Sequence, residues 1–299
     1  QCAVAGAAIQ PRPTPAMALA ARVRLPAAWR ATGRRACAGG GAASEGLPAH
    51  AVRLEGLPQE QRLTLLPLLH GRLRGPGGGA EVAGAVRARA PRQVFVELCS
   101  TRYSEALASA VLGLPAGPPP RVDVLGNIHG GLLTHELVPV LQAAREVGAA
   151  VIPVDRPRAA TRSRVAQRLW HPKFIQGLLR YGGYSLQQRE VTDLAIGAES
   201  LRRELESSCP AAHEVLVNER CTFMAHQVRS AVIPRAEAVL VCGALHSGAM
   251  ATALRRAPAP GAADAFARLA RRGVPVWPLF AVAYIVVPAV LTCYAASWA

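Results

Sequence analysis

At 299 residues, with 34 lysines and arginines against 19 acidic residues, the chain carries a formal charge of +15 and is long enough to bury a substantial core in one catalytic-size domain with appendages. Lys173 is the only lysine, the arginines are scattered through an Ala, Gly and Pro rich chain, and the few aromatic residues do not interleave with them, which argues against a base-stacking surface and so against nucleic acid as partner. The seven cysteines at 2, 37, 99, 209, 221, 242 and 293 form no C-x-x-C pair and keep no regular spacing, which excludes a zinc ribbon or a disulfide scaffold and fits a reducing compartment.

In chain order, the first 44 residues hold six arginines and no acidic residue, the pattern of an organelle-targeting leader or of a disordered Ala-rich tail. The next segment, 45–258, reads as the folded domain. Gly/Pro clusters at 75–79, 117–120 and 257–261 mark loops within it and at its end. QVFVE (93–97) has strand character and is followed by the helical SEALASAVLG, ending at Gly113. THELVPVLQAAREVG (134–148) shows helical spacing and stops at glycine before the strand AAVIPVD (149–155). Helices are expected over 161–181, 190–207 and 222–233, and a last strand over AVLVCGALH (238–246). Strand and helix in alternation predict an α/β fold with a parallel sheet covered by helices.

After a linker, 259–273, the 26 residues 274–299 carry no charge, and Arg268, Arg271 and Arg272 precede them. A bilayer-spanning helix needs roughly 20 mostly apolar residues, so this stretch reads as a C-terminal membrane anchor, with Trp277, Tyr284, Tyr294 and Trp298 supplying interface aromatics. The alternative is a buried core segment, which Pro275, Pro278 and Pro288 make awkward in a sheet.

Three apolar runs end in residues capable of chemistry: Glu97, Asp155 and His246. Carboxyl ends of neighbouring parallel strands converge on one crevice, so these three are expected to meet. A buried carboxylate needs a partner, and Arg102 for Glu97 and Arg156 for Asp155 are the nearest in sequence. A histidine with carboxylates at a sheet edge can alternatively hold a divalent ion with a position open for water. Glu219 precedes an amphipathic helix and reads as a helix-start carboxylate, with a site role as the second reading. Gly126-Asn127-Ile128-His129 falls in a Gly-rich loop; His129 and His135 are possible ligands there. No P-loop, nucleotide-binding glycine fingerprint, G-x-S-x-G or H-E-x-x-H is present.

Taken together and in order, four motifs resemble the TraB/pheromone-shutdown family, distant relatives of the Tiki metalloproteases. They are Glu97 with Arg102; Asp155, Arg156, Thr161 and Arg164; Glu219, Arg220, Met224 and Ala225; and Gly243 with His246, and the likeness covers about residues 64 to 255. The resemblance implies a Tiki/erythromycin-esterase-like α/β fold with a parallel or mixed sheet, and a divalent metal (manganese, cobalt or zinc) on His70, Glu97 and His246. Glu97 and His246 would be catalytic, with Arg102, Asp155, Arg156, Thr161, Arg164, Glu219, Arg220 and Gly243 supporting them or the substrate. The sequence departs from the family pattern at Pro67, where the first G-x-x-H has glycine, and at Cys221, where an aspartate follows Glu-Arg. The expected activity is that of a membrane-anchored metal-dependent peptidase or hydrolase. A non-enzymatic adaptor or tether that has lost the site is the alternative, and a regulator sequestering a peptide signal is a third. The resemblance further implies a mitochondrial or plastid outer membrane, the domain facing the cytosol, and a peptide or protein partner.

Overall fold

The computed structural model describes residues 47–55, 62–69, 75–112, 136–168, 194–272 and 287–290. The leader, His70, His129, His135 and most of the uncharged tail lie outside the described residues. Among those described, no helix is long and apolar enough to cross a membrane, and 287–290 form one helical turn.

Five strands make one mixed sheet in the order β1 (Val52–Leu54), β2 (Arg62–Leu68), β5 (Glu237–Gly243), β3 (Gln93–Val96), β4 (Ala150–Pro153). Only β1 runs antiparallel; β2, β5, β3 and β4 are mutually parallel. Between them lie α1 (Gly79–Arg89), α2 (Ser100–Val111), α3 (Val138–Glu146), α4 (Arg158–Arg168) and α5 (Leu194–Ser208). The short α6 (Pro210–His213) then runs through a π-turn, Glu214–Asn218, into α7 (Glu219–Ala231); α8 (Ala244–Arg255) follows β5, and α9 (Ala262–Ala270) comes last.

The sheet is apolar on both faces because helices cover both, which is why its strands read as continuous hydrophobic runs. Along β5 the pleat sends Ala238, Leu240 and Cys242 to one face with Leu65 and Phe95, against α7 and α8, and Val239 and Val241 to the other with Leu66, Val94 and Val96, against α1 and α3. Leu65, Leu240 and Phe95 lie side by side in register and are fully buried. Each such side chain contributes about 1.5–3 kcal/mol through burial. Pro67 sits inside β2, yet β1 covers only Leu63–Leu65, so the strand is single-sided at the proline and tolerates its missing N–H.

Gly79 lets α1 start where it does. A Cβ there would stand 2.0 Å from the carbonyl oxygen of Glu136, so only glycine allows the helix to approach that turn. Gly148, at φ +72°, takes the left-handed conformation that ends α3 and turns the chain into β4.

Several expected boundaries shift. The strand 238–246 stops at Gly243, and His246 lies in the first turn of α8, because Gly243 in extended conformation caps a helix that begins at Ala244. The helix after β3 begins at Ser100, four residues before the expected start, and the one expected over 222–233 begins at Glu219 as a continuation of the π-turn. Within the expected linker 259–273, α9 stacks Phe266 on Phe223 and His226 of α7, with ring centroids 4.5 and 4.3 Å apart.

Candidate functional site

The carboxyl ends of β2, β5, β3 and β4 share one edge, and the polar residues meet there. Glu97 directly follows β3, its amide still in the ladder through the Val241 carbonyl; Asp155 follows β4 by two residues, its amide bonded to the Leu98 carbonyl. His246 faces them from the first turn of α8, and Arg220 from the first turn of α7. Glu97 and His246 are 1% and 3% exposed.

Arg220 is the hub of this centre. Its Nη2 donates to Glu97 Oε1 and, at 2.9 Å, to Asp155 Oδ2; Nε donates to Asp155 Oδ1 at 3.1 Å; Nη1 lies 3.1 Å from His246 Nε2. Glu97 Oε1 is itself 3.3 Å from His246 Nε2, and Glu97 Oε2 accepts the Gly243 amide at 2.7 Å. A guanidinium has only donors to give, so its bond to Nε2 requires the imidazole proton on Nδ1, where Cys221 Sγ stands at 3.4 Å. Arg220 thus lies as a shared donor between two acceptors that would otherwise repel. Burial works against its charge, but the carboxylates of Asp155 and Glu97 outweigh burial and hold its pKa above the ordinary arginine value. Burial, with Glu97 adding to it, pushes the Cys221 thiol up.

Arg102 meets Glu97 at its main chain and also reaches across to β4: its Nη2 donates to the Glu97 carbonyl (3.2 Å) and to Asp155 Oδ2 (2.8 Å), since the turn after β3 leads into α2 with Arg102 facing β4. The Arg156 side chain does not pair with Asp155, which accepts its main-chain N–H at 2.9 Å. The Arg156 guanidinium runs the other way, fully buried, to Thr161 Oγ1 (2.8 Å), Glu219 Oε2 (2.7 Å) and the Val215 carbonyl (2.7 Å). That carbonyl belongs to the π-turn, whose wider winding leaves oxygens for a side chain to satisfy. Glu219 also takes Arg164 through both oxygens, at 2.5 Å each. It therefore acts as the counter-ion of two arginines rather than as a free carboxylate at a helix start. Burial raises its pKa, but the hydrogen bonds from Arg164 and Arg156 prevail and hold it below the usual carboxylate value.

So Glu97, Arg102, Asp155, Arg156, Thr161, Arg164, Glu219, Arg220, Gly243 and His246 form one contiguous edge, joined by hydrogen bonds and chain adjacency. The contact of Cys221 with His246 had no spacing signal; it arises because the first turns of α7 and α8 face each other.

The divalent ion implied by the family resemblance can be tested against this geometry. Two ligands of one ion at about 2.1 Å stand roughly 3.4 Å apart in tetrahedral coordination, and Glu97 Oε1 and His246 Nε2 are 3.3 Å apart. Arg220 nevertheless bonds both of those atoms. Adding an ion would set a second cation against the guanidinium on the same Glu97 oxygen, in a network where Arg102, Arg156, Arg164 and Arg220 already outnumber Glu97, Asp155 and Glu219. Among the described residues no group of three or more His, Cys, Asp and Glu is placed to hold a metal. With Arg220 in this position, Glu97 and His246 do not fit a divalent ion between them; the third implied ligand, His70, lies outside the described residues.

No protein-family model matches the sequence, and no curated protein matches it.

Proposed function

We propose that this chain is a membrane-anchored adaptor built on a TraB-like α/β domain, in which the position of a hydrolase centre is filled by a structural network of ion pairs. The bridging of Glu97 and His246 by Arg220 carries this reading: the two groups that would have to activate water are bonded to a guanidinium instead. The likeness to the TraB family is supported by the behaviour of its motifs, since residues spread over some 150 positions of sequence engage one another at one sheet edge. Membrane attachment rests on the uncharged stretch 274–299 behind Arg268, Arg271 and Arg272. An organelle outer membrane, with the domain on the cytosolic side and a protein or peptide as partner, is the setting that the resemblance suggests.

One observation favours a second reading, a metal-dependent hydrolase or peptidase with Glu97, His246 and His70 as ligands: the 3.3 Å approach of Glu97 Oε1, just after β3, to His246 Nε2, in the first turn of the helix that follows β5. Two assays separate the readings. The adaptor resists alkaline carbonate extraction from membranes, loses that resistance on Ile285→Arg/Leu291→Arg, and hydrolyses neither ester nor peptide panels. Hydrolysis that disappears on Glu97→Gln overturns it.

A further inference from the structure

We propose that the basic surface where α9 and the end of α8 meet α7 is a docking face for anionic lipid headgroups, which lays the domain against the bilayer. The inference rests on the membrane-anchored reading and deepens it by naming the lipid class.

Residues 255–272 carry five arginines, Arg255, Arg256, Arg268, Arg271 and Arg272, against one acidic residue, Asp264. All five are exposed, and among the described residues their guanidinia enter no ion pair. By contrast, Arg87 is matched by Glu146 and Arg203 by Glu199. α7 holds the two groups of arginines together. Phe266 of α9 stacks on Phe223 and His226, and one turn on, Arg229 Nη2 donates to the carbonyls of Ala253 and Arg256 at the end of α8. In α9 Phe266 and Leu269 are half-buried, while Ala263, Ala267 and Arg268 are exposed. Alanine at 263 and 267 lets this outer face lie close to a headgroup layer. Gly273 alone separates Arg272 from the uncharged stretch 274–299, so an anchored chain holds the patch at the membrane surface. The patch lies apart from the ion-pair site: His246 is in the first turn of α8, and Arg255 closes that helix about 14 Å further along its axis.

The test is vesicle flotation of the full chain carrying Ile285→Asn/Leu291→Asn, which removes anchoring at unchanged charge. Phosphatidylcholine vesicles are compared with vesicles in which about one-third of the lipid is phosphatidylserine. The chain is expected to float with the anionic vesicles at low salt, to leave the neutral ones, and to come off the anionic ones at about 0.5 M NaCl as its charges are screened. Adding Arg268→Gln/Arg271→Gln/Arg272→Gln should weaken binding about 100-fold, at about five-fold per arginine near an anionic surface. Arg145→Gln/Arg162→Gln/Arg168→Gln, three exposed arginines of α3 and α4, makes the same charge change away from the patch and should weaken it far less. Equal weakening by the two triple variants would assign the attraction to net charge and overturn the proposal, as would flotation indifferent to phosphatidylserine. The reading beneath it fails separately: wild-type chain stripped from membranes by carbonate sinks the anchor, and hydrolysis lost on Glu97→Gln sinks the adaptor, while the lipid face stands in either case.

Discussion

Glu219→Gln isolates the buried charge at the other half of the network. Glu219 neutralises Arg156, which has no exposed surface, and Arg164, which is 24% exposed at the side chain. Removing one partner of a buried ion pair costs about 3–5 kcal/mol, because the remaining charge stays desolvated. Gln keeps one oxygen for a guanidinium but turns an amide N–H₂ towards the other. Arg164 can swing to water, while Arg156 retains Thr161 and the Val215 carbonyl. The lower end therefore applies, a loss of about 3 kcal/mol, or roughly 10 °C in Tm for a domain of this size. The pH dependence carries its own sign. The folded pKa of Glu219 lies below its ordinary 4.5, so the unfolded chain binds its proton first as pH falls. The stabilisation is complete above the unfolded value and is lost as pH drops through the folded one. Urea unfolding of wild type and variant from neutral pH downward should show a constant gap until about the unfolded value of 4.5, then a narrowing one. A neutral-pH gap under about 1 kcal/mol, or one that widens in acid, would refute the reasoning.

Two further outcomes follow from packing. Gly79→Ala should destabilise by about 1–3 kcal/mol, since its Cβ would meet main-chain atoms of Glu136, at 2.0 Å from the oxygen, that have little room to give. Gly84→Ala in the same helix meets nothing within 4 Å and should stabilise by about 0.5–1 kcal/mol; equal effects of the two in urea titrations would contradict the close approach. Cys209, Cys221 and Cys242 are buried and burial raises their pKa values, so peptide mapping after alkylation at neutral pH should find them unmodified until denaturant is added. Rapid native labelling of Cys221 would contradict its burial against His246.

The convergence of Glu97, Asp155 and His246 was legible because it follows from topology: strands read as parallel must bring their carboxyl ends together. Their partners were not, because sequence proximity is a poor guide to ion pairing. Arg102, five residues from Glu97, crosses to Asp155, while the cation on the Glu97 carboxylate comes from 123 residues away. Side-chain direction at the start of α7 settles that choice, and the helix start in turn depends on the π-turn at Glu214–Asn218, which has no periodic signature. β1 and β2 carry no clear sequence signal for a different reason. β1 is three residues long, and Pro67 breaks the strand pattern of β2; only the shortness of β1 makes that proline acceptable. The helix α1 is small-residue rich, with Gly79 and Gly84 within it, so it lacked an apolar stripe strong enough to announce it.

The central claim is that the cation between Glu97 and His246 is Arg220. Elemental mass spectrometry on the full chain, purified without chelator beside Glu97→Gln/His246→Ala, tests it most directly. The account expects manganese, cobalt and zinc far below one equivalent in both proteins. Near-stoichiometric metal in wild type that vanishes in the double variant would contradict it.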